Sequence, residues 1–405
     1  MADGADALVV GAGPAGAAAA AFLAEAGLRV AVLDRAVGPA QKICGEFLSP
    51  GCLPLLRRLG VLQALAAAGA RPLRGMALQT AGGGLRADYP GGAEAPPAAL
   101  AVPRSQLDPL LLEAALARGA RYLPGFHVQD LLWEDGAVVG VRGRAHGRPA
   151  SLRGRLVLGA DGRHSVVARR LGGVLRHPWL DKLALVGHFR GVAAAPDRAQ
   201  IFVGPRRYAI LNPLAPETTN VGLVLDRREF AGAGRAAQQM AAACAALPGL
   251  AARMRGATPL GPVRCLGPLA HRARRLAAPG ALLLGDAAGF LDPFTGEGIH
   301  AALRSAQLAA GAALPALGAC RHPDLQGYAA AWRSELRAKW RLCLLLQQGV
   351  RRPRLAEWLV ARLAARPETL ARLMALLGDL APAGPAAMLR LGLDLLGPAP
   401  GVRRT

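Results

Sequence analysis

The feature that most constrains the fold is a glycine-rich turn between two short apolar runs near the start of the chain. Residues 8–10 are Leu-Val-Val, which suits a buried parallel strand, and residues 30–33 form a second run of this kind. Between them, Gly11, Gly13 and Gly16 follow the G-x-G-x-x-G spacing and lead into an alanine-rich segment typical of a helix. The pattern predicts a β-α-β unit.

Each glycine of this turn has a separate mechanical role in a nucleotide site. Gly11 allows the tight turn, Gly13 allows the backbone to approach a pyrophosphate, and Gly16 allows helix and strand to pack closely. The pyrophosphate would lie at the helix N-terminus, where free N–H groups and the helix dipole favour an anion. Asp34 follows 18 residues after Gly16 and is placed to accept hydrogen bonds from a ribose. The segment therefore predicts a dinucleotide site, and the alternative is a glycine-rich turn in an ordinary β-α-β unit.

Length and charge limit the classes of protein to which this chain can belong. With 405 residues it is long enough for two or three domains. The formal net charge is +22, but only three of the basic residues are lysines, and the arginines are scattered rather than clustered. We therefore expect no nucleic-acid partner, whereas the positive field would attract anionic cofactors, acidic substrates or an anionic membrane surface.

The cysteines and the N-terminal segment add expectations about the compartment. The six cysteines form no C-x-x-C pair and no metal-ligand grouping, so we expect reduced thiols and no metal site. The chain enters its first apolar run without a basic leader, and charged residues interrupt each long apolar stretch. We therefore expect no signal peptide, no membrane span and a cytoplasmic location.

Two further motifs combine with the glycine turn. Residues 159–162 are Gly-Ala-Asp-Gly after an apolar run, and residues 285–286 are Gly-Asp, followed by Pro293 and by Gly-Glu-Gly at 296–298. In this order the three motifs resemble the para-hydroxybenzoate hydroxylase-like FAD oxidoreductases, which include group A flavin monooxygenases and geranylgeranyl reductases. The resemblance covers roughly residues 5–320.

The resemblance implies a mixed α/β fold: a Rossmann-type FAD-binding domain, an inserted antiparallel β-sheet substrate domain above the flavin, and C-terminal helices. Alternating segments at 76–89 and 183–225 are typical of such an antiparallel sheet, and the chain is helical and arginine-rich from about residue 325. The expected boundaries are residues 1–72, 101–176 and 266–324 for the FAD-binding domain, 73–100 and 177–265 for the sheet domain, and 325–405 for the helical region.

The same resemblance implies specific cofactor contacts. Asp286 would hydrogen-bond a ribityl hydroxyl of FAD, and Asp161 would lie near both the pyrophosphate and NAD(P)H, unless it only forms an Asp-Gly turn. Arg104 would contact the pyrophosphate, with a solvated arginine at a helix start as the alternative. The complete set of expected cofactor-binding residues is Gly11, Gly13, Ala15, Gly16, Asp34, Arg35, Lys42, Cys44, Gly45, Arg104, Val128, Asp161, Gly162, Gly285, Asp286, Pro293, Gly296, Gly298 and Ile299.

Three side chains are candidates for a catalytic role. The segment at 42–45 resembles the flavin-facing loop of geranylgeranyl reductase-like proteins, although Glu46 follows where that family continues with glycines. Cys44 is either an active-site thiol or a small apolar filler, because thiol reactivity needs a depressed pKa. Glu46 is either an acid or substrate-orienting group or a surface residue of the loop. Tyr208 is the third candidate, because Tyr208 and Pro213 match a Tyr-x-Trp-x-Phe-Pro segment of the reductases.

Other patterns give weaker indications. Ile210 and Asn212 replace the aromatic residues of that reductase segment. This difference weakens the argument for a substrate with a prenyl chain. The chain has no Trp-x-Trp-x-Ile-Pro segment, so a tryptophan halogenase receives no support from the sequence. Four histidines show no pairing in sequence, and we expect core or surface roles for them: His127, His188, His271 and His300.

The C-terminal region contains one amphipathic stripe. Leu355, Leu359 and Leu363 lie one to two helical turns apart, with arginines nearby. Such a stripe either lies on a membrane surface and delivers a lipophilic substrate, or packs on its own protein. Packing is the commoner outcome and is our expectation, with peripheral membrane contact as the alternative.

These observations together predict an FAD-dependent oxidoreductase. We favour an NAD(P)H-dependent monooxygenase of secondary metabolism that uses molecular oxygen to hydroxylate or epoxidise a small apolar or aromatic metabolite. One alternative is a geranylgeranyl reductase-like flavin reductase of isoprenoid double bonds. Another, from a different class, is a non-catalytic, basic flavin- or nucleotide-binding adaptor. The substrate, the choice of NADH or NADPH and the oligomeric state stay open at this point.

Overall fold

The protein consists of two large β-sheets, the helices that pack on them and a C-terminal group of helices. A computed structural model describes residues 4–38, 42–91, 99–319 and 325–397. The helices are α1 (Pro14–Glu25), α2 (Cys52–Arg58), α3 (Leu62–Ala67), α4 (Arg104–Leu116), α5 (Val166–Arg170), α6 (Ala236–Ala246), α7 (Leu250–Met254), α8 (Gly285–Ala288), α9 (Gly298–Ala319), α10 (Gln326–Arg351), α11 (Pro353–Ala364), α12 (Pro367–Leu377) and α13 (Pro385–Leu396).

The strands follow the same chain order, and several are only two or three residues long. They are β1 (Ala5–Val10), β2 (Val30–Asp34), β3 (Phe47–Leu48), β4 (Arg71–Leu73), β5 (Gly75–Thr80), β6 (Gly83–Asp88), β7 (Ala99–Ala101), β8 (Arg121–Pro124), β9 (Phe126–Glu134), β10 (Ala137–Ala145), β11 (Arg148–Gly159), β12 (Val174–Arg176), β13 (Lys182–Arg190), β14 (Arg198–Gly204), β15 (Arg207–Ala215), β16 (Thr218–Asp226), β17 (Thr258–Pro259), β18 (Arg264–Leu266), β19 (His271–Ala273), β20 (Ala277–Ala278), β21 (Ala281–Leu283) and β22 (Gly289–Phe290).

The first large sheet is mainly parallel and is built around the predicted β-α-β unit. Its strand order is β20-β21-β11-β1-β2-β8, and β1 pairs in parallel with both β2 and β11. Strands β9 and β10 extend β11 in antiparallel fashion. Residues 7–10 and 30–33 are buried, as expected for the continuous apolar strands of a parallel sheet.

Helix α1 lies close to its neighbours because its residues are small. Residues 17–21 are all alanine and fully buried, and the helix packs against α4 and α9. A Cβ placed on Gly16 would lie 1.9 Å from the carbonyl oxygen of Gly11. Only glycine therefore permits this approach of the helix to the turn that precedes it.

The second large sheet is mostly antiparallel and has the strand order β17-β13-β16-β15-β14-β5-β6, with β18 also pairing with β13. Its strands come from residues 75–88, 182–226 and 258–266. The predicted fold class, a mixed α/β fold with a separate antiparallel sheet, is confirmed. The domain boundaries stay predictions, and strands β4 and β7, which pair with each other, each span one of them.

The C-terminal helices pack on one another and on the rest of the protein. Leu363 is buried in a cluster with leucines of α10, α12 and α13, while Leu355 and Leu359 are half-buried. This burial agrees with the packing interpretation of the leucine stripe. Within the described part of the chain, none of the helices combines the length and the apolar character that crossing a bilayer requires.

Candidate active site

Folding brings the three sequence motifs together at the carboxyl ends of neighbouring parallel strands. Gly11 follows β1, Asp161 follows β11, and Gly285 follows β21. A Cβ on Gly11 would lie 2.5 Å from the carbonyl oxygen of Ala160, and one on Gly285 would lie 3.0 Å from the Cβ of Ala15. Ligands of open α/β sheets bind at this edge, so the motifs outline a candidate site.

The glycine turn has the shape of an anion site. Gly11 has a φ of +104°, which favours glycine, and Gly16 leaves room for the carbonyl oxygen of Gly11. By contrast, a Cβ on Gly13 would meet nothing within 4 Å, so open space faces the backbone where α1 begins. The first N–H groups of a helix have no partner within the helix. The turn therefore fits a phosphate-bearing cofactor.

Asp34 supports the glycine turn through both carboxylate oxygens. Its Oδ2 accepts a hydrogen bond from the Ala12 N–H at 2.8 Å, and its Oδ1 accepts one from the Ala36 N–H at 2.8 Å. A carboxylate has about four lone-pair sites, so this side chain can still accept from a ribose hydroxyl. Arg35, by contrast, is exposed.

Several buried polar atoms near the motifs have no partner within the described residues. Asp161 accepts from the Val166 N–H through Oδ2 at 2.6 Å, but its Oδ1 is unpaired. The same holds for Thr295 Oγ1 and Glu297 Oε2. Buried polar atoms without hydrogen bonds are costly, so these atoms fit a site that a polar cofactor completes. Asp286 lies half-buried at the start of α8.

The third motif forms a compact turn that leads into a long helix. Residues Pro293–Thr295 form one turn of 3-10 helix, and Gly296 then has a φ of +67°. A Cβ on Gly296 would lie 2.7 Å from the ring of Phe47, so the backbone passes directly beside that ring. Gly298 begins α9, and Ile299 is buried on it.

A buried polar cluster stabilises this turn through hydrogen bonds to Asp292, the residue that precedes it. Asp292 Oδ1 accepts hydrogen bonds from the Tyr208 hydroxyl, from Gln347 Nε2 at 2.8 Å and from the Phe294 N–H at 3.0 Å. Lys182 Nζ donates to Gln347 Oε1 at 2.5 Å. Tyr208 is fully buried in this cluster, so the structure places this catalytic candidate beneath the turn rather than on a cavity wall.

A cavity of about 580 Å³ connects the glycine turn to the second sheet. This volume is typical of a site for a small molecule or cofactor. The walls come from the glycine turn, the segment at 42–46, the start of α4 and strand β13. They include Ala12, Asp34, Cys44, Arg104, Val186 and His188.

Glu46 lies at the junction of these walls in a strained backbone conformation. It is buried, and its φ is +55°, in the left-handed region that residues other than glycine rarely occupy. Asn212 Nδ2 donates to the carbonyl oxygens of Gly45 and Glu46 at 2.9 and 2.8 Å. Asn220 Nδ2 donates to the carbonyl oxygen of Cys44 at 2.9 Å. Contacts from two strands of the second sheet thus impose the conformation, as is common at functional sites.

The Glu46 carboxylate has three hydrogen-bond partners. Oε1 accepts from the backbone N–H of Arg104 at 3.0 Å, and Oε2 accepts from Asn220 Nδ2 at 2.9 Å. Oε2 also lies 2.6 Å from His188 Nε2. Burial opposes ionisation of Glu46, but hydrogen bonds from His188, Arg104 and Asn220 outweigh it, so the pKa of Glu46 lies below its ordinary value.

His188 is the partially exposed member of this pair. Its side chain is 45% exposed, against 6% for Glu46, and both residues line the cavity. The hydrogen bond with Glu46 raises the pKa of His188, although burial and the charge of Arg264 oppose the shift. A histidine whose pKa is raised by a carboxylate, at a cavity wall, is suited to proton transfer near neutral pH.

The other candidates from the segment at 42–46 have plainer environments. Cys44 lines the cavity, but burial raises the pKa of its thiol, which favours the apolar-filler interpretation. Lys42 is exposed at the cavity, and a Cβ on Gly45 would meet nothing within 4 Å. Arg104 lines the cavity too, with its guanidinium held by Asp108 at 2.6 and 2.7 Å.

The structure also separates some predicted residues from the cavity. Val128 is buried on β9 in the core of the first sheet, apart from the residues that line the cavity. The sequence shows no partner for His188, whereas the structure pairs it with Glu46 at the cavity wall. The expected core or surface role of this histidine stays a prediction. Asn220 was missed. The structure sets it opposite His188 through the register of β13 against β16, which the sequence pattern does not specify.

Comparison with known protein families agrees with this geometry. The family described as FAD binding domain matches residues 4–318. A menaquinone reductase of Mycolicibacterium smegmatis is 30% identical over 326 residues, which cover 76% of this chain and 75% of that protein. The 6-methylpretetramide 4-monooxygenase of Streptomyces rimosus is 31% identical over 329 residues, covering 75% and 74%. These relatives are enzymes, so the alternative of a non-catalytic adaptor is wrong.

Halogenases are also among the similar proteins. A tryptophan 2-halogenase of Chondromyces crocatus is 29% identical over 325 residues, covering 75% of this chain and 60% of that enzyme. The solved structure of the flavin-dependent brominase Bmp2 has the same fold, with a TM-score of 0.84 at 20% identity, and covers 97% of this chain and 98% of that one. This chain is therefore similar to a tryptophan halogenase although it has no Trp-x-Trp-x-Ile-Pro segment.

Proposed function

Because the chain belongs to the FAD binding domain family and is an FAD-dependent oxidoreductase, we propose that it is an NAD(P)H-dependent monooxygenase of a small apolar or aromatic metabolite. When bound and reduced, FAD supplies the electrons that activate molecular oxygen. The observation that carries the proposal is the cavity, since it joins the glycine turn to a wall that contains Val186, Leu260 and Pro262. Such a wall suits a substrate with a large apolar surface.

The residues of this chain divide the work between binding and environment. The backbone at Gly13 and the N-terminus of α1 would bind the cofactor's phosphates, and Asp34 would orient the ribose. The N–H groups that begin α9 at Gly298 would stabilise negative charge on the flavin. The apolar wall excludes water from the cavity. The buried cluster around Asp292 keeps the turn between Asp292 and α9 in place.

A second candidate reaction is reduction without oxygen. It is favoured by the relatives named menaquinone reductase, of which two more, both from Mycobacterium tuberculosis strains, are 31% identical to this chain. In that case the cavity would hold the ring or the side chain of an isoprenoid quinone. The segment at 42–45, with its likeness to geranylgeranyl reductase-like proteins, supports the same alternative.

The deciding experiment follows the oxygen dependence and the mass of the product. The purified flavoprotein is reduced anaerobically with NADH or NADPH, and each rate of flavin bleaching is recorded. It is then mixed with small phenols, polyketide-like aromatic compounds or menaquinone, with and without oxygen and with and without halide. We expect an oxygen-dependent product that is heavier by one oxygen atom.

The other products would each replace the proposal with a named alternative. A product that gains two hydrogen atoms without oxygen would establish the reductase. A product that gains a halogen only when halide is present would establish a halogenase. The Asp286→Ala variant, which we expect to retain less flavin, serves as the control for chemistry that does not depend on the bound cofactor.

A further inference from the structure

His188 and Glu46 form a hydrogen-bonded pair where the second sheet lines the cavity. His188 lies on β13 directly opposite Asn220 on β16, and both side chains contact the same carboxylate oxygen of Glu46. The distances to Oε2 are 2.6 Å from His188 Nε2 and 2.9 Å from Asn220 Nδ2. The cofactor site on the first sheet does not account for this arrangement, because His188 and Asn220 belong to the second sheet.

The fold maintains this pair at a structural cost. Burying a carboxylate is unfavourable, and Glu46 also holds a left-handed φ of +55°. Groups from β13, β15, β16 and the start of α4 all hydrogen-bond to this one residue or to its backbone. An apolar side chain would fill the same space without these contacts. Strain and burial imposed from several directions are typical of residues kept for chemistry.

The hydrogen bond with Glu46 also fixes which nitrogen of His188 can act as a base. A neutral imidazole that donates from Nε2 to the carboxylate carries its free lone pair on Nδ1. Among the described residues, no group hydrogen-bonds Nδ1 of His188, and the side chain is 45% exposed at the cavity. The carboxylate stabilises the imidazolium that forms when Nδ1 accepts a proton, by the logic of a histidine–aspartate pair.

We propose that His188, oriented by Glu46, accepts the proton of an acidic substrate hydroxyl, which makes a phenol or an enol the substrate class. The inference rests on the proposed function in one respect, that the substrate occupies this cavity. In the step, the substrate O–H bond breaks, an N–H bond forms at Nδ1, and the electron pair stays on the substrate oxygen. The resulting phenolate or enolate is more electron-rich and therefore more readily hydroxylated. His188 is the catalytic base, and Glu46 is a positioning residue.

The other charged groups at the cavity set the balance of this proton transfer. Arg264 on β18 opposes the positive charge of His188 but favours an anionic substrate beside it. Arg104 and Asp108 of α4 neutralise each other as an ion pair. The further titratable groups at the cavity are Asp34, Lys42, Cys44 and Tyr122. With Glu46 as its direct partner, His188 is the group among these best placed to exchange a proton near neutral pH.

The first test measures the ionisation of a bound phenol and needs no turnover. The oxidised flavoprotein is titrated with 4-nitrophenol across a range of pH, and the phenolate band is followed as a difference spectrum. We expect the bound probe to ionise at least about one pH unit lower than in water, which is a tenfold change in its acid constant. His188→Gln should remove this shift. His127→Gln, a matched change at an exposed histidine of β9, should keep it.

The second test isolates the positioning role of Glu46. The pKa of His188 is measured by NMR of the labelled imidazole carbon, with the signal assigned by its loss in His188→Gln. We expect Glu46→Gln to lower the pKa of His188 and to reduce the shift of bound 4-nitrophenol, while the flavin content shows that the site still forms. Glu46→Asp should recover part of both effects.

The outcomes separate this inference from the proposed function. An unchanged phenol shift in His188→Gln, or a wild-type protein that does not bind 4-nitrophenol at any pH, would overturn the assignment of base and substrate class. Loss of the shift in His188→Gln and a lowered His188 pKa in Glu46→Gln would support it. These readouts would stand even if the oxygen-dependent product were never found, in which case the monooxygenase proposal alone would fail.

Discussion

At the scale of single residues, Glu297 links stability to pH. It is 6% exposed in the turn before α9. Burial raises the pKa of its carboxyl to about 7, with Asp379 acting in the same direction and Lys339 opposing it. In the unfolded chain a glutamate has a pKa of about 4.3. Between these values the folded protein holds a proton that the unfolded chain lacks, so the free energy of unfolding falls as pH rises, by roughly 1.4 kcal/mol per pH unit.

Replacing Glu297 with glutamine removes this dependence of stability on pH, because the side chain of glutamine does not ionise between the two pKa values. Relative to the wild type, Glu297→Gln should therefore gain stability between about pH 5 and about pH 8, by up to about 3 kcal/mol. Urea unfolding at the two pH values measures the change. Glu217→Gln, at a residue that is 78% exposed in a hairpin turn, is the control. Equal pH dependence in the two variants would show that Glu297 is ionised in the folded protein.

The cofactor assignment of Asp286 is testable at the same scale. Asp286 follows the carboxyl end of β21, where a carboxylate can accept hydrogen bonds from a ligand's hydroxyl groups. We expect Asp286→Ala to lose most of its bound FAD after gel filtration, with an unchanged circular dichroism spectrum. Asp286→Asn keeps an acceptor oxygen and should retain more flavin than the alanine variant. Full flavin content in Asp286→Ala would refute this role.

The single residues also show where sequence information ends. The spacing of the glycines and the acid at Asp34 predicts the nucleotide turn, because that geometry is local in the chain. His188 and Asn220 come together only through the register of β13 against β16, and Glu46 reaches both across a separation of more than a hundred residues. Periodicity predicts that both segments are strands, but it does not specify their register.

At the scale of the elements, helix α1 allows its packing to be tested separately from its binding role. A Cβ on Gly16 would lie 1.9 Å from a backbone oxygen, whereas one on Gly13 would lie in open space. Gly16→Ala should therefore destabilise the protein by at least about 1–3 kcal/mol, the range for overpacking in a core. Gly13→Ala should change stability by less than about 1 kcal/mol, because glycine to alanine at an N-cap is a small change.

The Gly13→Ala variant also tests cofactor binding separately from folding stability. Gly13→Ala adds a methyl group where the backbone would meet the phosphates, so we expect weaker FAD binding by a folded protein. Thermal unfolding of each protein with and without added FAD distinguishes the two effects. If Gly13→Ala binds FAD as tightly as the wild type does, the phosphates do not lie against this part of the turn.

The elements differ in how far they follow from the sequence. The apolar runs at 138–141 and 155–159 predict two strands, and the structure extends them to β10 and β11, which form a long antiparallel hairpin beyond the parallel sheet. The added residues of β11 are exposed or half-buried, and those at the end of β10 are largely so, so they carry little of the continuous apolar signal of a parallel strand. The helices α4 and α6 are closer to the sequence signals, since a helix is predicted from Pro103 to about Arg118 and another from Arg235 to Leu247, before Pro248. Proline signals of this kind are local in the chain.

At the scale of the whole molecule, a buried ion pair within the C-terminal helical region also contacts the rest of the protein, through Ser49 and His300. Lys339 of α10 donates to Asp379 Oδ1 at 2.5 Å and to the carbonyl oxygens of Leu376 and Leu377 at the end of α12. Asp379 also accepts from Ser49 Oγ at 2.6 Å and lies 3.3 Å from His300 Nδ1 on α9. The positive charge of Lys339 and the hydrogen bond with His300 keep the pKa of Asp379 below its ordinary value, against the effect of burial.

These long-range contacts were not predictable, although the helices themselves were. The sequence predicts a helical region after about residue 325, and the family match ends at residue 318. A buried lysine and a buried aspartate, 40 residues apart, resemble any other charged residues until the helices are docked. Both charges lie close enough to Glu297, in the turn before α9, to shift the pKa of its carboxyl.

Breaking this pair should therefore affect both stability and flavin binding. Lys339→Met leaves Asp379 buried without its cation, and removing one partner of a buried pair costs about 3–5 kcal/mol. We expect a lower unfolding temperature together with faster release of FAD, because the turn before α9 loses its support. Arg337→Met, an exposed position on the same helix, is the matched control and should change neither.

A double variant shows whether the ion pair itself carries the effect. Asp379→Asn, a residue that tolerates the left-handed φ of +58° at this position, removes the unpaired charge that Lys339→Met leaves behind. In the double variant we expect part of the lost stability and flavin retention to return, so the two changes should not be additive. If the effects simply add, Lys339 and Asp379 act independently, and the ion pair is not what stabilises this part of the protein.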